Sequence, residues 1–348
     1  MLSRLGLPLF LLLLAALASL LLALGIGSAQ IAPGQIWAIV LNDLGLNNLV
    51  FNNLGFNNLG PGEIAQGEGD ALARIMVVEL RLPRALSAFA VGGLLAVAGA
   101  LMQVLLRNPL ADPYVLGLSG GASIGALAAM LSGLGGLAIS GSAFSGALFS
   151  TFLVFGLAHG SGGWTPSRLL LTGVVVAAGW GAVITLMLAL SPAERLPGML
   201  YWLMGDLSYS RTPWPPLLLL LVTCVVLVPL GRSLNVLARG PQQAAALGVA
   251  VKPLEWCIYI AASLLTAAAV TTAGSIGFVG LVVPHMLRLL LGNDQRLILP
   301  ACALAGGTLL VLADTLARTM IAPEQLPVGV ITALLGVPTF LFLLYRSR

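Results

Sequence analysis

"RLPRALSAFAVGGLLAVAGALMQVLLRNPLADPYVLGLSGGASIGAL", residues 81–127, contains two long apolar runs separated by one short polar turn. Ala85 to Leu106 carries no charge, which is long enough to cross a bilayer as a helix, since a span needs about 20 apolar residues. Arg107 ends the run, Pro109 and Pro113 forbid continuation, and a second apolar run begins at Tyr114. The apolar residues are continuous rather than alternating, so the pattern is that of membrane helices and not of barrel strands. The rest of the chain has the same character. Of 348 residues, 59% are hydrophobic and 8% are charged, against about 25% charged in soluble domains. Mean hydropathy is +1.03. So much apolar surface cannot be hidden in one core, and lipid has to be the solvent.

The fold class that follows is all-α: one polytopic transmembrane domain over residues 1–348. Ten helices are predicted, at 5–26, 85–106, 114–131, 138–158, 168–190, 213–230, 253–271, 276–291, 297–316 and 328–345. The eighth is short and holds Pro284, which suits a helix packed among others. The run at 5–26 exceeds the roughly 7–15 residues of a signal-peptide core and reads as a first span. Basic residues set the orientation. With the N-terminus inside, ten Lys and Arg fall on the inner side and six on the outer, so both termini are expected in the cytoplasm. The net charge of +4 is dispersed, which leaves no patch for nucleic acid. Cys224, Cys257 and Cys302 all sit within apolar runs, as small buried hydrophobes do.

Residues 27–80 form the first outer loop. Within it, "LNDLGLNNLVFNNLGFNNLG" (41–60) is four tandem pentamers rich in Asn and Gly, which favour turns over helix. It reads as a tolerated surface insertion. Arg81, Arg84 and Arg318 oppose the charge bias, since all three fall on the outer side. Two readings stand on the residues alone: an ion pair of Arg318 with Asp314 at i,i+4 together with interfacial snorkelling, or a basic docking spot for an acidic partner.

Three stretches are specific in combination: 81–127 above, "ARGPQQAAALGV" (238–249), and "AGSIGFVGLVVPHMLRLLLGNDQRLILPACALAGGTLLVLADTLAR" (273–318) with "QLPVGVITALLGVPTFLFLLYR" after it. Together they resemble the permease subunits of type II ABC importers, the family that carries ferric siderophores, haem and cobalamin. The resemblance implies a homodimer of this chain in the bacterial cytoplasmic (inner) membrane, served by two ATPase subunits and an extracytoplasmic substrate-binding protein. It implies that Arg81, Arg84 and Arg318 receive the acidic lobes of that binding protein. It places Asn108 and Leu110, in the "NPLADP" turn, and less clearly Ser167 at a cytoplasmic gate, although the prolines alone make a rigid turn. In the loop 232–252 it makes Gln242, Gln243, Ala244, Ala245 and Gly248 the ATPase-coupling helix, with Gly248 as the residue that ends it.

Gly121 and Gly125 form a GxxxG pair that allows close helix packing and also leaves room beside a pathway. His285 and Arg288 lie at i,i+3 without a second His or an acid near them, which favours a helix-end hydrogen bond or an ATPase-side contact over metal chemistry. Lys252, the only lysine, follows Val251 rather than glycine, so the phosphate cradle of an ATPase is absent. The chain is therefore expected to be no enzyme and to bind no cofactor, with ATP and Mg held by the partner ATPase. The cargo order is a ferric siderophore first, then cobalamin, then haem. The alternative is an ion-coupled secondary transporter, which needs acids at mid-membrane. Asp314 is its one candidate, near the outer mouth.

Overall fold

The computed structural model describes residues 2–27, 31–32, 34–36, 39, 68–159, 165–208, 210 and 212–346; the pentamer repeat at 41–60 lies outside them. No strand occurs among the described residues. The helices are α1 (Leu2–Gly25), α2 (Glu68–Arg74), α3 (Leu82–Leu105), α4 (Leu118–Leu131), α5 (Gly136–Ala158), α6 (Pro166–Ala189), α7 (Leu196–Met204), α8 (Trp214–Leu227), α9 (Gly231–Leu237), α10 (Pro241–Ala246), α11 (Val251–Ala273), α12 (Val279–Leu291), α13 (Gln295–Thr319) and α14 (Val328–Arg346). A π-helical stretch, Ile75–Arg81, joins α2 to α3, and a 3₁₀ turn, Pro113–Leu116, precedes α4.

Every apolar segment read from the sequence is helical here. Among the described residues, six helices are long and apolar enough to cross a membrane, α8 and α9 make a further candidate bent by 72°, and α4, α12 and α14 are shorter apolar helices. The chain is thus an all-helical, polytopic membrane protein. α3 is its axis. The most apolar window of the α2–α3 span is 89% buried, whereas that of α6 is 11% buried and that of α1 22%. In lipid, helices gain little by hiding apolar surface from one another, so packing has to come from close van der Waals approach. Glycines supply it. A Cβ on Gly92 would collide with the carbonyl of Gly306 on α13, one on Gly306 with the carbonyl of Gly92, and one on Gly99 with the carbonyl of Gly280 on α12. Gly121 and Gly125 pack in the same way onto Gly146 and Ser142 of α5, so the packing role of that pair is realised.

Two spans are shorter than the hydropathy suggested. α4 begins at Leu118, not at Tyr114, because Gly117 takes φ +70° between it and the 3₁₀ turn. α12 begins at Val279, not at Ile276, because Phe278 also takes φ +70°. The two breaks meet. Tyr114 Oη accepts the N–H of Ile276 at 3.1 Å. Pro113 sits against Gly280, where a Cβ would lie 2.8 Å from its Cδ. Gly280 in turn faces Gly99, about 25 Å along α3 from its start at 1.5 Å per residue. Irregular backbone at membrane depth is tolerated only where protein or a cavity satisfies it. Here Ser150 Oγ donates to the Gly117 carbonyl at 2.8 Å and accepts from Trp180 Nε1 at 2.8 Å.

α7 was not predicted. Its residues are as apolar as a span but too few to cross. It reaches the same junction: Asp206 N–H donates to the carbonyl of Ala273 at 2.8 Å, and Gly274 and Gly329 lie so close to the carbonyls of Trp202 and Met204 that no side chain would fit.

Candidate functional site

The π stretch leads into Arg81 and Arg84. Its wider turn closes with Leu82 N–H donating to Val77 O, five residues back, and Arg81 and Arg84 follow on one side of α3's first turn. The structure brings Arg81, Arg84 and Arg318 onto one cavity, and Arg84 and Arg318 onto Asp314. Arg84 grips the carboxylate with Nε (3.1 and 3.0 Å to the two oxygens) and with Nη2 (2.8 Å). Its Nη1 donates to Gln325 Oε1 at 2.7 Å and to Ser208 Oγ at 3.3 Å. Arg318 Nε lies 3.2 Å from Asp314 Oδ2. Asp314 is only 1% exposed, Arg81 7% and Arg318 8%.

Two of the three arginines also close α1. The last carbonyls of a helix have no partner within it and carry its negative dipole end. Arg81 Nη1 donates to Leu24 O at 2.8 Å, and Arg318 Nη2 to Ala23 O at 3.3 Å. So the i,i+4 pair of Asp314 and Arg318 exists. The links from Arg84 to Ser208 and Gln325 span more than a hundred residues, and no local sequence signal announces them. The cluster surrounds a cavity of about 310 Å³, to which Glu79, Ser208 and Gln325 also contribute. An acid entering it would meet guanidinium groups already oriented.

At the other end of the bundle, α10 stands between Gly240 (φ +125°) and Gly248 (φ +79°). Val249 N–H donates to Ala244 O at 2.9 Å and Gly248 N–H to Ala245 O at 3.0 Å, the paired bonds by which a glycine in the left-handed region ends a helix. Gln242, Gln243, Ala245 and Gly248 are exposed. Ala244 is not: it is fully buried. Its side chain seats α10 on the body. Leu247, not singled out from sequence, is 70% exposed and is the large apolar group on that surface. Gly248→Val is expected to strain this helix end by about 1–2 kcal/mol, so the native end becomes about tenfold rarer. Partner-stimulated ATPase activity should fall while the permease still reaches the membrane. Unchanged stimulation would show that the helix end is not read by the partner.

α9 is locked to the turn before α13. Asn235 Nδ2 donates to Asp294 Oδ1 at 2.9 Å, and Gln295 N–H donates to Asn235 Oδ1 at 2.7 Å. Arg296, bonded to Asp294 at 2.7 Å, holds that carboxyl down at about 2, and Asn235 adds to the effect. Asp294 is therefore ionised at neutral pH and matched by Arg296.

Of the residues expected at a gate, Asn108 caps its own turn, its Oδ1 accepting Leu110 N–H at 2.9 Å. Leu110 and Ser167 are exposed. No hydrogen bond joins Ser167 to Asn108 or Leu110 among the described residues. Their elements do meet: Gly173 on α6 lies against Val115 of the 3₁₀ turn, about 9 Å along the helix from Ser167. Beside them, a cleft of about 720 Å³ runs between α4, α5 and α6, walled by Gly125, Ala128, Ser145, Phe149 and Trp180 among others. The small residues of α4 therefore pack against α5 and also wall the cleft. His285 stacks edge-on to Phe340, ring centroids 6.4 Å apart.

A bundle with an exposed, glycine-capped helix at one end and a cationic cavity at the other has the build of a transport permease. Residues 12–346 match the FecCD transport family, and the chain belongs to that family. It is 44% identical over 281 residues to the cobalamin import system permease BtuC of Halobacterium salinarum, covering 79% of this chain and 74% of that one. It is 42% identical over 289 residues to the hemin transport system permease HmuU of Yersinia pestis, covering 80% and 85%. A solved structure described as an inward-facing conformation of a metal-chelate type ABC transporter superposes with a TM-score of 0.79 at 29% identity, covering 97% of this chain and 98% of that one. The chain is an ABC transporter permease, and its family is one of transport subunits rather than enzymes.

Proposed function

We propose that the chain is the membrane subunit of an ATP-driven importer that moves a metal chelate from a binding protein into the cytoplasm. The observation that carries this reading is the cavity lined by Arg81, Arg84 and Arg318, at the opposite end of the bundle from α10. The working unit is a homodimer with two ATPase subunits, in the cytoplasmic membrane, with ten spans and both termini inside. The poorly buried α6, with its cleft, is the face that suits a second copy and a pathway between copies. A loaded binding protein places a carboxylate from each lobe in the cavity of each copy. Exposed ion pairs contribute only about 0–1 kcal/mol each, but several together orient a partner. ATP binding then moves α10, and the Asn108 turn and the Tyr114–Ile276 junction change places as barriers. The two named relatives are described as carrying cobalamin and hemin, so these two move ahead of ferric siderophores. Such chelates arrive with the metal already ligated, and the wall need supply no ligand. The ion-coupled alternative loses its footing because Asp314 is engaged by two arginines.

The test is uptake of labelled cobalamin, haem and ferric siderophores in a strain lacking this gene and rescued by the wild-type chain or by Arg81→Glu with Arg84→Glu. Membrane abundance is measured alongside, since both arginines also hold the fold. Rescue for one chelate, lost in the doubly reversed protein at equal abundance, is the expected result. Uptake that persists without the ATPase subunits and collapses with the ion gradient would sink the reading.

A further inference from the structure

Between α12, α13 and α14 lies a cavity of about 330 Å³ that none of these roles uses. Its wall is apolar. Only Thr332 and Thr339 bring polar side chains to it, and both hydroxyls donate to their own helix, to Gly329 O at 3.0 Å and to Leu335 O at 2.7 Å. A water in such a space needs two to four polar partners, which this wall does not offer. The wall runs from Phe278 to Leu290 on α12 and from Ala305 to Ala313 on α13, about 18 Å and 12 Å at 1.5 Å per residue. The volume spread over those lengths gives a bore about 5–6 Å wide, half the diameter of a helix with its side chains. Met286, Leu290 and Leu335 are exposed, so the cavity opens among apolar side chains, whereas Val283, Leu287 and Ala313 are buried along its inside.

A guest for this space is apolar, narrow and long. A helix of a second copy is too wide to enter, and a metal chelate is too polar for the wall. A hydrocarbon chain fits, since carbons in contact stand about 4 Å apart and the bore admits one chain. We propose that the cavity holds one acyl chain of a phospholipid from the surrounding bilayer. Left empty, its lining would forfeit dispersion contacts on that side; a chain restores them without a polar group to satisfy. At the end opposite Leu290 stands Phe278. It is a non-glycine residue at φ +70°, a conformation that bulky side chains rarely adopt. Its side chain packs on Gly336, where a Cβ would lie 2.5 Å from Phe278 Cβ. The acyl chain completes that packing from the cavity side and so braces the start of α12.

The full-length permease is placed in phosphatidylcholine nanodiscs that contain a trace of phosphatidylcholine with a photoreactive diazirine on its acyl chain. Parallel nanodiscs carry the diazirine on the headgroup. After illumination, labelled residues are mapped by mass spectrometry. The chain probe should label the buried Val283 and Ala313 as well as Leu334, which is exposed outside the cavity; the headgroup probe should label neither buried residue. Ala305→Phe and Thr339→Phe fill the cavity from different helices. Either should abolish labelling of Val283 and Ala313 and leave that of Leu334. In detergent after lipid removal, the filled variants should unfold at a higher temperature than the wild type, and added phosphatidylcholine should raise the midpoint of the wild type alone. Labelling confined to exposed residues, or buried labelling unchanged in both variants, overturns the proposal. So does buried labelling that is present in the monomer and lost in a dimer, which would make a second copy the occupant. If neither variant folds, labelling of the buried pair in the wild type, set against the headgroup probe, still decides.

Discussion

Asp314→Ala is expected to cost the permease about 3–5 kcal/mol, the scale for leaving a buried charge without its partner. The carboxylate is the shared counter-ion of Arg84 and Arg318, whose side chains are only 11% and 9% exposed. Removing it leaves two guanidinium groups facing each other with little water to screen them. Arg318 retains one bond, to the end of α1, and Arg84 retains Gln325 and Ser208. Neither set carries a negative charge. The unfolding midpoint of purified protein should drop steeply, and α1 should become the first segment open to proteolysis. Combining Asp314→Ala with Arg84→Gln should recover part of the loss, because the repulsion goes with the arginine. A drop under about 1 kcal/mol, the value of an exposed pair, would mean that the cavity is wet enough to solvate the cluster.

Gly99→Ala is the second large effect. Overpacking typically costs about 1–3 kcal/mol, and this site belongs at or above the upper end. The added Cβ would meet the carbonyl and Cα of Gly280, and a backbone cannot rotate away as a side chain can. α12 would have to move off α3, and with it Pro113 and the Tyr114–Ile276 bond. Both folding yield and transport should suffer, with transport lost first, since the junction is displaced before the bundle comes apart. Gly6→Ala on α1 is the control. Nothing lies within 4 Å of a Cβ there, and alanine is the better helix former by about 1 kcal/mol. Equal effects at the two sites would refute the close-packing account.

The ten apolar segments were legible because their length and composition are set by the bilayer, and a window of sequence measures both. The end of α10 was legible because Gly248 is a local signal. Depth was not. Hydropathy cannot distinguish a helix that starts at the membrane surface from one that starts after Gly117 or Phe278, since the residues before each break are equally apolar. α7 was missed for the related reason that nine apolar residues look like loop when a span needs twenty. The outer cluster was half legible. Asp314 and Arg318 are four apart, but Arg84 joins them across 230 residues, and only the fold closes that distance. Which alanine of "AAA" is buried was not legible, because consecutive alanines look alike while a helix buries Ala244 and shows Ala245.

The 72° bend between α8 and α9 gives this end of the bundle the shape of a crank. α9 is an arm of about 10 Å, seven residues at 1.5 Å each. Its load end is α10 and its pivot is the joint at Val228–Leu230. A push on α10 along the membrane normal therefore reaches α8 as torque rather than as thrust. The bolt between Asn235 and Asp294 sits midway along the arm and passes part of that torque to the foot of α13. A lift of about 2 Å at the load end would turn the arm by about 10°. α13 carries Asp314 and Arg318 at its far end, so one rigid helix joins that contact to the cavity lined by Arg318.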